Sequence, residues 1–252
     1  MASKIALVTG GSRGLGKDSA LQLAKKGFDL ILTYQTKKEA ADEVIKEIES
    51  IGQKAFALPL DISTTAGFDE FTTKVKEILD TQFSSAKLDA LVNNAGIGIT
   101  ESFETTTEET LDAMTNIHFK GPYFLTQKLL PLLNDGSSVV NTSSGLARFS
   151  FAGYSAYGAM KAAIDSLSRY QALELGSRKI RVNSIAPGAI ETDFGGGAVR
   201  DVSDLNKYLA SETALGRVGL PDDIGSVVAF LCSDDSKWIN GQRIEASGGF
   251  KL

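Results

Sequence analysis

The chain has 252 residues, 42% hydrophobic and 23% charged, enough to bury a sizeable core in one large domain. Its net charge of −5 supplies no global basic field for nucleic acid, and no apolar run reaches the ~18 residues of a membrane span. A single cysteine (Cys232) and a single histidine (His118) exclude an internal disulfide and a Cys/His metal cluster; with an apolar run opening at residue 5, no signal peptide is expected, and the setting read from these features is reducing and cytoplasmic.

Short β-branched or apolar runs predict strands at 5–9, 29–34, 54–60, 90–93, 138–142, 181–186 and 243–246. Amphipathic stretches predict helices at 14–26, 37–51, 68–83, 107–133, 154–175 and 222–231. Alternation of this kind implies an α/β fold: a doubly wound, mostly parallel seven-stranded sheet of Rossmann type with helices on both faces. Such strands are covered on both faces, which fits their near-continuous apolar character. No Pro/Ser linker divides the chain, so one domain over 1–252 is expected. Three successive glycines, Gly195 to Gly197, predict a hinge for a mobile lid at 194–214.

The first strand runs into Thr9-Gly10-Gly11-Ser12-Arg13-Gly14-Leu15-Gly16, followed by a helix. A glycine-rich strand-to-helix turn lets backbone approach a pyrophosphate, and the helix N-terminus offers free N–H groups and a positive dipole end. The second strand ends Tyr34-Gln35-Thr36-Lys37-Lys38, without the carboxylate that would hold a ribose 2′-OH. Arg13 and either Lys37 or Lys38 suit a 2′-phosphate instead, so NADP(H) is favoured over NAD(H); the two lysines read equally as a solvated first helical turn. Further on, Tyr157 and Lys161 are four apart, one turn from each other on a helix face. A phenol beside an ammonium is suited to acid/base work on an alcohol or carbonyl, since positive charge favours the phenolate.

Together these motifs resemble the short-chain dehydrogenase/reductase family in its roughly 250-residue form, over nearly the whole length. The resemblance is carried by the glycine turn, Asp61, Asn93-Asn94-Ala95-Gly96, Ser144, Tyr157-x-x-x-Lys161, Pro187-Gly188 with Ile190 and Thr192, the run from Gly216 to Ile224, and Ser247-Gly248-Gly249. It implies a cofactor site built from Gly10, Ser12, Arg13, Gly14, Leu15, Gly16, Tyr34, Lys37, Asp61, Ile62, Asn93, Ala95, Gly96, Tyr157, Lys161, Pro187, Gly188, Ile190 and Thr192. Asp61 would meet the adenine amino group, and Pro187 and Gly188 would border the nicotinamide. It also implies that Ser144 binds the substrate oxygen, Tyr157 exchanges its proton, and Lys161 lowers the Tyr157 pKa and holds the nicotinamide ribose. The family spacing selects Ser144 over Ser143, and Tyr154 lacks the lysine four residues on.

One position departs from the family pattern. Where many members carry an asparagine that holds a relay water, the ungapped alignment places His118. Three readings stand: His118 takes over that role, a local bulge brings Asn116 into place, or His118 is a satisfied core histidine. The aromatic residues Phe149, Phe151, Tyr154 and Phe194 either line a substrate pocket or pack beneath the lid or at a subunit contact. The function expected is an NADP(H)-dependent oxidoreductase interconverting a carbonyl and a secondary alcohol. A 3-oxoacyl carrier-protein reductase and a general ketone reductase are both candidates. The alternative is a non-catalytic nucleotide-binding regulatory or scaffold protein on the same fold. The partners expected are a small-molecule substrate and further copies of the chain, in a homotetramer or homodimer paired through the helices at 107–133 and 154–175.

Overall fold

A computed structural model of the protein describes residues 3–83 and 87–252. Seven strands form one sheet in the order β3-β2-β1-β4-β5-β6-β7, every pairing parallel. They are β1 (Lys4–Val8), β2 (Phe28–Tyr34), β3 (Ala55–Pro59), β4 (Leu88–Asn93), β5 (Leu133–Thr142), β6 (Arg181–Pro187) and β7 (Arg243–Ala246). Along each strand the apolar side chains alternate between two cores. Ala6, Val8, Leu30, Leu32, Ala90, Val92 and Val140 face one, with α1 (Gly14–Lys25), α2 (Lys38–Ser50) and α9 (Pro221–Cys232) packed over them. Ile5, Leu7, Ile31, Leu91, Val139 and Val182 face the other, beneath α3 (Phe68–Gln82), α5 (Gly121–Leu129) and α6 (Ser155–Glu174). Both faces of the period-two pleat are therefore apolar, which is why the strands read as continuous runs.

The chain reverses direction across the sheet between β1 and β4, and the crevice this opens at the carboxyl ends of the strands is where such sheets take ligands. Thr9 joins the two strand ends: its hydroxyl accepts from the N–H groups of Asn94 (2.9 Å) and Ala95 (3.0 Å). The Asn94 amide in turn donates to the carbonyls of Thr9 and Gly10. A Cβ on Gly16 would run into the Gly10 carbonyl and the Asn94 amide, so this glycine sets how closely α1 approaches the turn.

The helix expected at 107–133 is four pieces. After α4 (Glu108–Thr115) comes a π-helical turn, Asn116–Lys120, then α5, then a 3-10 turn, Leu130–Leu132. Gly121 donates its N–H to the carbonyl of Asn116, five residues back, and Pro122 sits in the first turn of α5, where its missing N–H costs nothing. Strand β5 begins earlier than expected, at Leu133, because the register slips between the Leu88–Leu133 and Ala90–Ser138 pairs. The segment expected as an irregular lid holds two short helices, α7 (Ala198–Asp201) and α8 (Ser203–Ser211). Gly195, Gly196 and Gly197 before them have φ of 59°, 76° and 80°, the left-handed region that other residues avoid.

Under β4 and β5 lies a buried polar chain. The Asn93 amide donates to Thr126 Oγ1 (2.9 Å) and Asn141 Oδ1 (2.8 Å), and the Asn141 amide donates to Ser168 Oγ and Gln171 Oε1 (both 2.9 Å). It pins two strands to α5 and α6. Replacing Asn141 by Ala leaves several of these groups short of a partner and should cost about 2 kcal/mol. For a chain of this size the expected drop in Tm is about 4–8 °C by calorimetry.

Candidate active site

A cleft of about 410 Å³ lies over the carboxyl ends of the central strands. One end is built from the glycine turn. Gly10 and Gly14 have φ of 65° and 55°, and a Cβ on Gly10 would stand 3.0 Å from Ala95. Arg13 occupies the N-cap of α1 in extended geometry and gives no side-chain cap, so the N–H groups of the first helical turn are left for a ligand. Ser12, Arg13, Gly14 and Leu15 line this end, as do Tyr34 and Lys37 from the β2 end and Asp61 and Ile62 beyond β3. Lys38 is paired with Asp42 (2.6 Å) on the surface of α2, whereas Lys37 faces the cleft. No carboxylate of β2 stands at this end. The nearest acid on the far wall is Asp193, which reaches Arg13 (3.4 Å) and Arg200 (2.6 Å); these guanidiniums, Arg200 first, hold its carboxyl below the usual range.

Ser144, Tyr157 and Lys161 meet at the other end. Helix α6 is long, and its buried face carries Tyr157, Lys161, Ile164, Asp165 and Ser168 at helical spacing. Lys161 lies 5.4 Å from the centre of the Tyr157 ring and donates to the Thr142 carbonyl (2.7 Å). Ser144 Oγ accepts from Leu146 N–H (3.2 Å). Burial dominates the ionisation of the pair. It raises the Tyr157 phenol above its ordinary value against the opposing Ser144 hydroxyl. It pushes Lys161 down to about 7, with the Asp165 carboxylate pulling the other way. Removing a phenolate from water is the largest effect on Tyr157. Behind the triad, sequence reading missed Arg243. Its Nη2 donates to the Ser144 carbonyl (3.0 Å), and its Nε lies 3.0 Å from Asp165 as an ion pair lacking hydrogen-bond alignment. Only the fold brings β7 against the start of the Ser144 loop, so no local signal exposes it.

The bulge and the histidine reading both have a structural counterpart. The π-turn is present, and it is His118 that it turns into the cleft; Asn116 does not line it. His118 is 1% exposed, and its ring meets the Tyr157 ring edge-on at 5.0 Å. Nε2 lies 2.8 Å from the Ile97 carbonyl, an acceptor only, so Nε2 carries the proton and Nδ1 is a bare acceptor. Nδ1 is buried without a hydrogen-bond partner among the described residues. Burial first, then the charge of Lys161, drives the pKa of His118 down to about 2.

Aromatic side chains wall the cleft beyond Tyr157. Phe194 packs on Tyr157 (5.6 Å between ring centres), and Phe149 on Phe250 (5.1 Å). Phe149, Phe151, Tyr154, Phe194 and Phe250 all line the cleft, so the pocket reading of these residues fits the geometry; Phe250 was not foreseen.

Comparison with known proteins agrees. The family model described as enoyl-(acyl carrier protein) reductase matches residues 10–251. A hydroxynaphthalene reductase-like protein of Metarhizium brunneum is 38% identical over 99% of this chain and 95% of its own. The crystal structure of an angucycline C-6 ketoreductase with bound NADP superposes with a TM-score of 0.94 at 36% identity, covering 99% of this chain and 96% of the other. A short-chain dehydrogenase/reductase of Serratia marcescens gives 0.90 at 29% identity, covering 99% and 98%. The chain belongs to the short-chain dehydrogenase/reductase family.

Within this family fold, two residues expected at the cofactor stand behind it. The Asn93 side chain is turned into the buried polar chain beneath β4, and Gly16 sits at the contact of α1 with the turn; neither lines the cleft. Ala95, Gly96, Pro187, Gly188, Ile190 and Thr192 do line it. Gly96 is tied to the departure at 118, since a Cβ there would stand 2.7 Å from His118 Cε1. Among the described residues no helix is long and apolar enough to cross a membrane, and no cluster of His, Cys, Asp and Glu could hold a metal ion.

The folded-state pKa of His118 lies below its unfolded value of 6.5, so the unfolded chain binds the extra proton first. Stability is therefore full above about pH 6.5 and falls as pH drops below it, by about 2 kcal/mol at pH 5 from this group. Denaturant melts at pH 7 and pH 5 should show that this loss shrinks by about the same amount in His118→Asn.

Proposed function

We propose that the protein is an NADP(H)-dependent oxidoreductase that interconverts a ketone on an apolar, aromatic framework and its secondary alcohol, with Tyr157 as general acid/base. One observation carries this reading: Ser144, Tyr157 and Lys161 converge at one end of a cleft whose other end presents Arg13 and Lys37 with no carboxylate from β2. The cradle of Gly10, Gly14 and Gly96, with the uncapped start of α1, fits a dinucleotide. Arg13 and Lys37 would take its 2′-phosphate. The aromatic lining of the lid end fits a planar ring system, in line with the similarity to a hydroxynaphthalene reductase-like protein and an angucycline ketoreductase.

The bound nicotinamide supplies or takes the hydride. Ser144 Oγ is already held by Leu146 N–H, which leaves its own proton to donate to the substrate oxygen. Tyr157 gives that oxygen its proton in reduction and takes it back in oxidation. Lys161 spends one N–H on Thr142 and keeps the others for a ribose hydroxyl and a water. A pKa of about 7 lets Lys161 pass a proton at neutral pH. His118 Nδ1, an acceptor in a fixed tautomer, would hold the water that reprotonates Lys161. The three glycines before α7 give the lid its hinge for substrate entry.

The exposed faces of α5 and α6, where Phe119, Tyr123, Leu167 and Tyr170 line a groove, support pairing of two copies across these helices. Sedimentation should then give a dimer or tetramer, and Tyr170→Glu should shift it towards monomer; a monomeric wild type overturns this.

The activity is tested by following NADPH oxidation against tetralones, quinones, simple ketones and 3-oxoacyl thioesters. Tyr157→Phe should lower kcat by about 10²–10⁴, and unchanged turnover would sink the mechanism. The double variant Arg13→Ala/Lys37→Ala should raise KM for NADPH by about tenfold or more while leaving that for NADH close to wild type. Cofactor binding with no turnover of any substrate in the panel would instead favour a non-catalytic regulatory protein.

A further inference from the structure

We propose that Asp165 and Arg243 are positioning residues that act as a pair on Lys161, the carboxylate supporting the ammonium charge and the guanidinium offsetting the carboxylate. The inference rests on the reductase reading above, in which Lys161 serves the proton path of Tyr157, and adds to it what governs the lysine.

Lys161 is enclosed by groups that bring it no negative charge. From the end of β5 the Thr142 carbonyl accepts one of its protons (2.7 Å). From the π-turn His118 faces it as a neutral imidazole, and on its own helix Tyr157 keeps its phenol protonated. Asp165 supplies the counter-charge. It follows Lys161 by one turn on the buried face of α6 and is 8% exposed, so its charge is screened far less than in water. This carboxylate favours the charged lysine where burial favours the neutral one.

Asp165 is in turn held from two strands. Its Oδ1 accepts from the Ser184 hydroxyl on β6 (2.7 Å), and its Oδ2 lies 3.0 Å from Arg243 Nε on β7. The second contact is one of charge, since Nε is buried without an aligned acceptor. Two features leave the guanidinium charge to Asp165. Arg243 Nη1 reaches Glu245 (2.7 Å), but that carboxylate is held first by Arg148, through Nη2 (2.7 Å) and Nε (2.9 Å). Arg243 Nη2 is spent on a neutral group, the Ser144 carbonyl (3.0 Å). One guanidinium thus offsets the carboxylate behind the lysine and braces the residue placed at the substrate oxygen. A carboxylate shared with a guanidinium supports an ammonium less than a free one does, and Lys161 is left near the midpoint between charged and neutral at about pH 7.

The test is an NMR titration of the whole chain, isotope-labelled at the lysine Cε, with the Lys161 resonance identified by its loss in Lys161→Met. In the wild type this resonance should titrate with a midpoint of about 7. Asp165→Asn keeps the shape of the side chain and an acceptor for Ser184 but removes the charge, and the midpoint should fall by about one pH unit. Arg243→Met frees the carboxylate, and the midpoint should rise by about half a unit or more. Arg243→Lys, which keeps the charge, should stay close to the wild type. The double variant Asp165→Asn/Arg243→Met loses both charges and should return towards the wild-type midpoint. A merely structural role would loosen the site and admit water in either single variant, moving both midpoints upward. Midpoints that move the same way in the two single variants, or that stay at the wild-type value in either, overturn the proposal. Asp165→Ala and Arg243→Gln repeat the two arms should either first variant fail to fold. The titration needs no substrate, so failure of the protein to reduce any ketone, with the opposite shifts intact, would overturn the reductase reading and leave the action of the pair on Lys161 standing.

Discussion

Burying an amine and a phenol one turn apart on α6 is the constraint on which the site depends. Tyr157 and Lys161 are 7% and 4% exposed, and water would solvate the charged form of either far better than the protein does. The folded chain answers by keeping the phenol protonated, by drawing the lysine close to neutrality, and by spending backbone on what polarity remains. The Thr142 carbonyl at the end of β5 takes one lysine proton, and the Ser143 hydroxyl bonds back to the Lys161 carbonyl. Lys161, drawn close to neutrality, changes protonation for a modest free energy, whereas the phenol holds its proton until a charged ligand alters the balance.

The same constraint reaches outward through charged neighbours. Asp165, one turn beyond Lys161, accepts from Ser184 (2.7 Å) and faces Arg243. Arg243 bonds Glu245 (2.7 Å), and Glu245 bonds Arg148, whose Nη1 and Nη2 donate to the carbonyls of Lys251 and Phe250 respectively. Carboxylates and guanidiniums thus alternate from beside the catalytic lysine, past the backbone of Ser144, to the aromatic wall of the lid end. Exposed ion pairs contribute little individually. The inner members here are largely shielded, and their hydrogen bonds fix orientation as much as they add stability.

The succession of strands and helices, the glycine turn and the Tyr157–Lys161 pair were legible in the sequence because each is local: a period, a turn composition, a spacing on one helix. The break in the helix at 116–120 was half legible. Pro122 marked an irregularity, but that the bulge would aim His118 and not Asn116 at Tyr157 depends on Gly96 giving the ring room, across the cleft and far off in sequence. Asn93 was expected at the cofactor through the family resemblance, not through any local signal of its own. Its true partners, Thr126 and Asn141, lie on other elements and leave no trace in the local pattern. Arg243 was invisible for the same reason: its contact with the Ser144 carbonyl arises only where β7 packs against the start of the Ser144 loop.

The two ends of the cleft are joined by one carboxylate. Asp193 holds Arg13 from the phosphate end and Arg200 from α7, with Gly195, Gly196 and Gly197 in between as the only stretch of three consecutive left-handed residues in the described chain. The Arg13 contact is the longer and the more exposed of the two, so an anion at the start of α1 competes for Arg13 at small cost. When Arg13 turns to such an anion, Asp193 keeps Arg200, and the restraint that α7 feels from the glycine turn is removed. An anion at the start of α1 and Asp193 therefore compete for Arg13, next to the glycine run that leads into α7. Because the coupling runs through exposed pairs, its size is bounded by what those pairs are worth, on the order of 1 kcal/mol, and it weakens as salt screens them.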